Sequence, residues 1–94
     1  MRIVWAPEAA DDLETAVAYL AQRNPAGAHK LALAVFELVE RLADEPLDGP
    51  EHILRNGERV RGWPLPPFRL YYQRQSAAFR VVRLYHQKRE PITL

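Results

Sequence analysis

The sequence predicts an α+β fold in which one strand and an antiparallel helical hairpin precede a three-stranded antiparallel sheet. In the first half of the chain, apolar residues recur every three or four positions, the period of a helix with one buried face. In the second half, apolar and polar residues alternate, the period of a strand with two different faces. Two helices cover only one face of such a sheet, so the other face should carry side chains that tolerate water.

The first two predicted elements are a short strand at Arg2–Trp5 and a helix from Pro7 to about Arg23. Proline suits the first position of a helix and Glu8 suits the positive end of the helix dipole, although Ala6 is a poor N-cap. The apolar face of this helix consists of Ala9 or Ala10, Leu13, Ala16, Val17 and Leu20. The polar residues expected to face solvent are Asp11, Asp12, Glu14 and Gln22.

The dipeptide Asn24-Pro25 predicts the end of this helix and the start of a second one, because asparagine caps a helix and proline fits its first position. Apolar residues then recur with spacings of three and four, at Ala28, Leu31, Val35, Leu38 and Leu42. Such a seam is typical of two helices packed nearly side by side, so it predicts an antiparallel hairpin. Pro46 is expected to end the second helix.

The remaining chain predicts one connection and three strands. Residues 46–57 are rich in turn-forming residues and predict an irregular connection. Residues 58–65 resume an extended pattern, but the nearby Pro64, Pro66 and Pro67 predict that this strand lies at the edge of the sheet. Two more strands are predicted at residues 67–75 and 79–91, and the short link between them predicts a hairpin.

Composition limits the function classes. The length of 94 residues and the apolar fraction of 48% fit a single domain spanning residues 1–94. The absence of cysteine excludes a disulfide framework, a thiolate zinc site and a cysteine nucleophile. The three histidines have no metal-ligand spacing, so we expect neither a metal nor a cofactor. The first residues lack the apolar run of a signal peptide or a membrane span, so we expect a cytoplasmic protein without a membrane partner.

The net charge of +1 conceals a strong asymmetry. Residues 1–54 contain four basic and ten acidic side chains, a net charge of −6, whereas residues 55–94 contain nine basic and two acidic ones, a net charge of +7. Eight of those nine basic residues are arginine, which favours bidentate pairing with phosphate or carboxylate. The asymmetry predicts an anionic partner for the C-terminal half. The alternative is that these arginines balance the acidic helical layer within one molecule.

Particular residues in both halves of the chain match those of a known family. In the helical half they are Asp12-Leu13, Tyr19-Leu20, Asn24-Pro25, Leu42, Pro46 and Gly49. In the sheet half they are residues 57–61 (GERVR), 68–72 (FRLYY) and 81–86 (VVRLYH), followed by Arg89. With these residues, nearly the whole chain resembles the RelE/ParE superfamily of bacterial toxins, the toxic halves of type II toxin-antitoxin modules. Most of these positions are apolar or turn residues, so the resemblance is specific for the fold and less specific for the activity.

The runs at residues 61–65 (RGWPL) and 82–87 (VRLYHQ) look closer to ParE than to the nucleases of the superfamily. This resemblance implies an inhibitor of DNA gyrase that breaks no bond itself. It also implies a cognate antitoxin, which we expect to use an acidic and apolar segment that wraps the helical pair and the basic sheet face. The residues expected to bind the target or the antitoxin are Arg59, Arg61, Arg69, Arg83, Lys88 and Arg89.

A ribosome-dependent nuclease that cuts messenger RNA is the alternative within the same superfamily. Cleavage by a 2′-hydroxyl needs a proton acceptor, a proton donor and cations beside the phosphate. On this interpretation His86 is the acid or base, and Arg69 and Arg61 stabilise the phosphate. Tyr85 or Arg89 would position the base, and Glu51 resembles a carboxylate that one branch uses.

Two further interpretations remain open for these residues. His86 at the end of a strand can be a purely structural group, and the tyrosines at 71, 72 and 85 can be sheet packing instead of base-stacking platforms. The chain could also be a nontoxic binding module that uses its basic face. That hypothesis predicts that expression alone leaves bacterial growth unharmed.

Overall fold

The structure is a computed structural model, and it describes residues 1–87 of the chain. The helices and strands, in chain order, are β1 (Arg2–Trp5), α1 (Pro7–Ala21), α2 (Pro25–Asp44), β2 (Glu51–Ile53), β3 (Arg59–Leu65), β4 (Phe68–Arg74) and β5 (Ala78–His86). The predicted α+β class is confirmed. Neither helix has the length and apolar character needed to cross a membrane.

All five described strands form one sheet in the order β1-β5-β4-β3-β2. The three strands predicted in the second half pair antiparallel, as expected. The prediction of a three-stranded sheet was nevertheless incomplete, because β1 pairs parallel to β5 and joins the same sheet. Parallel strands need a long connection, and the chain between β1 and β5 contains both helices and the other three strands.

The connection at residues 46–57 is not wholly irregular, because Glu51–Ile53 pairs with β3 as strand β2. The sequence missed this strand because its three residues are flanked by turn-forming residues. The prediction that β3 is the edge strand was therefore wrong, since β2 occupies that edge. The reason for that prediction nevertheless applies at Pro64. Strand β2 pairs only with residues 59–61, so Pro64 lies beyond that pairing, where its missing N–H is tolerated.

The turn between the helices follows the predicted capping. The Asn24 side chain accepts a hydrogen bond of 2.9 Å from the backbone N–H of Gly27, and Pro25 is the first helical residue. Helix α1 ends at Ala21, slightly before the predicted Arg23. Four of the five residues of the predicted seam are buried, and Leu31 packs at its margin.

The main core lies between the helices and one face of the sheet, here called the helical face. At its centre the rings of Tyr72 and Phe79 stack at 4.9 Å between centroids, and both side chains are fully buried. The other buried members come from the residue before α1, both helices, β4 and β5: Ala6, Ala9, Val35, Leu38, Val39, Leu42, Ala43, Leu70, Val81 and Leu84. Burial of these apolar side chains is the dominant stabilising term of the fold.

The opposite side of the sheet, here called the open face, also carries a small apolar cluster. Its buried members are Leu54, Val60, Tyr71 and Val82, and Tyr85 packs against them. The expectation that this face consists of water-tolerant side chains is therefore wrong for the cluster itself and holds only for the residues that surround it. Several polar side chains of the open face meet the turn after β2 and Glu8 of α1 at its margin.

Candidate functional site

The sequence-predicted site residues are divided between the two faces of the sheet. Arg69 alternates with Phe68 and Leu70, which pack on the helical face, so it lies on the open face. It is the register partner of Tyr85, whose ring packs against the open-face cluster. Arg69 and Tyr85 are thus neighbours on the open face.

His86 lies on the helical face. Its ring meets the edge of Phe68 at 5.5 Å between centroids, and it lines a groove between the helices and the β3–β4 turn. Arg69 and His86 therefore lie on opposite sides of the sheet.

Arg59 and Arg61 alternate with Val60 of the open-face cluster, so their side chains leave β3 on the helical side. Arg61 Nη1 donates a hydrogen bond of 2.9 Å to the backbone carbonyl of Gly49 and so holds the connection after α2. Arg61 is opposite Tyr72 and His86 is opposite Phe68, a separation of roughly 13 Å along β4. The structure does not bring the predicted nuclease residues together.

Arg83 forms the closest ion pair that links the two layers of the fold. Its Nε and Nη2 donate hydrogen bonds of 2.8 and 2.9 Å to the two carboxylate oxygens of Asp12, and these bonds raise the pKa of Arg83. Asp12 also accepts a hydrogen bond of 3.0 Å from the backbone N–H of Leu84. The prediction that Asp12 faces solvent was wrong, because Asp12 lies at the boundary of the apolar stripe, one helical turn from Ala9, where it faces β5.

A second ion pair lies on the open face. Arg80 Nη1 donates hydrogen bonds of 3.1 Å to both Glu58 and Gln73. Glu58 is the acidic residue of the turn after β2, where Asn56 also donates to it at 3.0 Å. The pKa of Glu58 is lowered, first by the Asn56 hydrogen bond and then by Arg80.

Arg74 holds the connection that follows α2. It donates to Asp48 at 2.7 Å and to the backbone carbonyls of Leu47 and Glu45 at 2.7 and 3.1 Å. The hydrogen bond to Arg74 lowers the pKa of Asp48. Arg74 also lies over the rings of Tyr72 and Phe79, so all of these contacts serve the fold.

Arg59 is the most weakly paired of these arginines. It lies 3.8 Å from Glu51, and both side chains are more than half exposed. Glu51 thus lies on the edge strand beside Arg59 and is the register partner of Arg61, whereas β3 and β4 separate it from His86 on β5. A pair of this kind is worth little to stability.

Most strand arginines are therefore bound by groups of the same chain, as the intramolecular alternative predicts. Arg69 and the exposed Arg2 of β1 are the strand arginines within residues 1–87 whose side chains form no ion pair or hydrogen bond there. The exposed Arg55 of the turn after β2 likewise has no ion pair in this part of the chain. Lys88 and Arg89 lie outside the described residues.

Cavities lie on both faces of the sheet. A groove of about 700 Å³ on the helical face is lined mainly by apolar side chains of both helices and the β3–β4 turn, with Lys30 and His86 at its margin. A polar pocket of about 290 Å³ on the open face is lined by Arg55, Arg80, Arg83, Glu58 and Tyr85, among others. The described residues contain no group of histidine and carboxylate side chains that could hold a metal ion.

Tyr71 and Tyr72 are buried, so neither ring offers a surface for stacking a base. The hydroxyl of Tyr72 instead accepts a hydrogen bond of 2.9 Å from the N–H of Gly49, and burial raises the pKa of this phenol. Tyr85 is only partly buried, and the guanidinium of Arg83 lies 4.4 Å from the centre of its ring. Sequence reasoning found Tyr85 and Arg83 separately but gave no signal of this contact.

Known proteins resemble the chain in sequence and in fold. Residues 3–91 match the model of a family described as the ParE toxin of the type II toxin-antitoxin system, parDE. The fold is similar to that of a chain from a structure titled "Chromosomal ParDE TA system from P. aeruginosa", with a TM-score of 0.66. The two chains are 22% identical, and the alignment covers 92% of this chain and 95% of that one. No curated protein matches the sequence.

Proposed function

Because the chain belongs to the ParE toxin family of type II toxin-antitoxin systems, we propose that it arrests bacterial growth by inhibiting DNA gyrase and that a cognate antitoxin neutralises it. Inhibition would rest on binding alone, without a bond broken by the toxin. Since gyrase acts on chromosomal DNA, the toxin would act in the cytoplasm.

The observation that carries this choice is the separation of the predicted nuclease residues. A general acid or base must lie within hydrogen-bond reach of the proton that it transfers, and the cations must lie beside the same phosphate. Arg69 and His86 lie on opposite faces of the sheet, and Arg61 is bonded to Gly49. No single phosphate can reach all three groups, which supports a binding function over RNA cleavage.

The open face offers the better surface for the target. Arg69 of β4 lies there beside Tyr85 of β5. Arg83 also lies on β5, and its guanidinium lies over the Tyr85 ring. A half-buried cation without an anionic partner in the described chain is desolvated at a cost, which a carboxylate from a bound protein would offset. This surface fits an acidic patch on the target.

The antitoxin is expected to use both faces. The apolar groove on the helical face fits apolar side chains of an antitoxin segment, because burying them there removes apolar surface of both partners from water. We expect the acidic part of that segment to bind the open face of the sheet and not the outer surface of the helices. That outer surface already carries exposed carboxylates such as Glu14 and Glu37. An acidic segment would be repelled from that outer surface.

Induced expression in a bacterium tests the proposal when DNA supercoiling and messenger RNA integrity are measured over the same time course. We expect growth to stop and negative supercoiling of a reporter plasmid to fall before any messenger RNA is cut. Purified toxin should inhibit supercoiling by purified gyrase, and equimolar antitoxin should restore it. Codon-positioned cuts with intact supercoiling would establish the nuclease instead, and unimpaired growth would favour the nontoxic binding module.

A further inference from the structure

One carboxylate of the helical layer orients a cation on the open face. Asp12 of α1 accepts from Arg83 Nε and Nη2 at 2.8 and 2.9 Å, and its Oδ2 also accepts from the N–H of Leu84 at 3.0 Å. The Asp12 side chain is 14% exposed and that of Arg83 is 30% exposed. A bidentate pair that is also tied to the backbone of β5 holds the guanidinium in one orientation.

This orientation places the Arg83 guanidinium over the ring of Tyr85, 4.4 Å from its centre. The Tyr85 ring meets the edge of Tyr71 at 5.8 Å, and Tyr71 is buried in the open-face cluster. Tyr85 is therefore supported from below by Tyr71 and covered by Arg83. Both Arg83 and Tyr85 line the polar pocket of the open face.

The hydrogen bonds of Arg83 leave part of its guanidinium available. Asp12 occupies the side that carries Nε and Nη2, and Nη1 has no hydrogen bond within residues 1–87. Arg74 also donates through Nε and Nη2, to Asp48 and two backbone carbonyls of the connection after α2. The two arginines differ in the rings beneath them, because Arg74 lies over the fully buried Tyr72 and Phe79, whereas Arg83 lies over the partly exposed Tyr85.

We propose that Asp12 is a positioning residue of the toxin, which fixes the stacked Arg83 and Tyr85 pair so that it can contact a carboxylate on the target protein. The proposal rests on the proposed toxin function, although it does not depend on which protein the target is. Preorganisation of the pair lowers the entropy lost on binding, because the long arginine side chain is already ordered before the target arrives.

The test compares variants at equal concentrations of folded toxin, with growth arrest as the readout that needs no knowledge of the target. Asp12→Asn keeps the shape of the side chain but removes its charge and one acceptor oxygen, so Arg83 is no longer held on both sides. We expect its potency to fall about tenfold, the effect of about 1.4 kcal/mol of lost binding free energy. Tyr85→Leu should lower potency by a similar factor.

A double-mutant comparison separates positioning from mere stability. If Asp12 acts through Arg83 and Tyr85, the toxin that carries both Asp12→Asn and Tyr85→Leu should be as potent as the less potent of the two single variants. Asp48→Asn is the matched control, because it breaks an ion pair of similar length that holds only the connection after α2. It should lower the melting temperature without changing potency per folded molecule.

Two results would overturn the proposal. One is an Asp12→Asn toxin that melts at a lower temperature but keeps full potency per folded molecule, since Asp12 would then be structural only. The other is a double variant whose loss is the product of the two single losses, since Asp12 and Tyr85 would then act independently. Measuring plasmid supercoiling in the same cultures tests the gyrase proposal separately. Growth arrest without loss of supercoiling would show that gyrase is not the target, and the potencies of the variants would still test the role of Asp12.

Discussion

Gly49 packs against Gly62 so closely that a Cβ atom built on Gly49 would overlap the carbonyl oxygen of Gly62. The obstacle is backbone, which cannot rotate away as a side chain could. The N–H of Gly49 donates to Tyr72 and its carbonyl accepts from Arg61, so the connection cannot shift without losing buried hydrogen bonds. Gly49 therefore joins the end of the helical layer to β3.

Gly49→Ala is expected to lower the free energy of unfolding by about 1–3 kcal/mol or more, the range for overpacking a tight site. Urea unfolding followed by circular dichroism measures it. The control is Gly57→Asn, at a glycine with a φ of 89° and open space around its Cα. Asparagine tolerates that conformation, so a loss well below that of Gly49→Ala is expected there. Equal losses of unfolding free energy at the two sites would show that the contact with Gly62 is not the cause of the destabilisation.

Acid should weaken the fold through Asp48 and Glu58. Each has a pKa lowered in the folded chain, from ordinary values of 3.8 and 4.5, by hydrogen bonds that Arg74 gives to Asp48 and Asn56 gives to Glu58. Because the folded pKa is the lower one, their stabilisation is fully present above those ordinary values and is lost as the pH falls through the lowered ones.

Asp48→Asn should therefore reduce the free energy of unfolding at neutral pH by up to about 1 kcal/mol, since the pair is partly exposed. The difference from the unmodified chain should begin to shrink as the pH falls below 3.8 and should vanish below the lowered pKa of Asp48, where both chains carry a neutral side chain at this position. Chemical denaturation across that range provides the measurement. A difference that stays constant with pH would mean that the charge of Asp48 is not what stabilises the fold.

His86→Ala should leave the toxin fully able to arrest growth. His86 lies on the helical face against Phe68, on the other side of the sheet from Arg69, so its removal should leave the open face unchanged. Removing a general acid or base usually lowers a rate by roughly 10² to 10⁴. The dose of toxin needed for growth arrest distinguishes the two cases, and a loss of that size without a loss of folding would support the nuclease.

Arg69→Ala should weaken growth arrest about tenfold or more, which corresponds to about 1.4 kcal/mol of binding free energy. The reason is that Arg69 has no ion pair in the described chain, so a partner's carboxylate is the group it can gain. Arg2→Ala, which removes an exposed arginine of β1, is the matched control and should keep its potency. If both substitutions weaken the toxin equally, net charge and not the position of Arg69 is the cause.

Antitoxin binding should weaken with salt. Raising the ionic strength from about 0.1 M to about 1 M shortens the Debye length from about 10 Å to about 3 Å, which screens the attraction between an acidic segment and the exposed arginines. Titration calorimetry at several salt concentrations measures the dissociation constant. An affinity that is independent of salt would mean that the apolar groove alone holds the antitoxin.

Short-range signals account for what the sequence predicted well. The cap at Asn24 and the seam of α2 depend on residues within a few positions of each other, and both were predicted correctly. Strand β2 has no such signal, because its three residues acquire their pairing only when β3 lies beside them. The edge prediction for β3 failed for the same reason.

Periodicity and turn residues were enough to determine the α+β class and the order of the elements other than β2, because both depend on neighbours along the chain. The resemblance to the toxin family came from particular residues of both halves of the chain. Only the tertiary structure decided which arginines are available. Asp12 and Arg83 are 71 positions apart in the sequence, and a charge count cannot show whether two such groups meet. That depends on which face each side chain occupies and on how the helical layer lies over β5, since the strength of an ion pair depends on distance and burial.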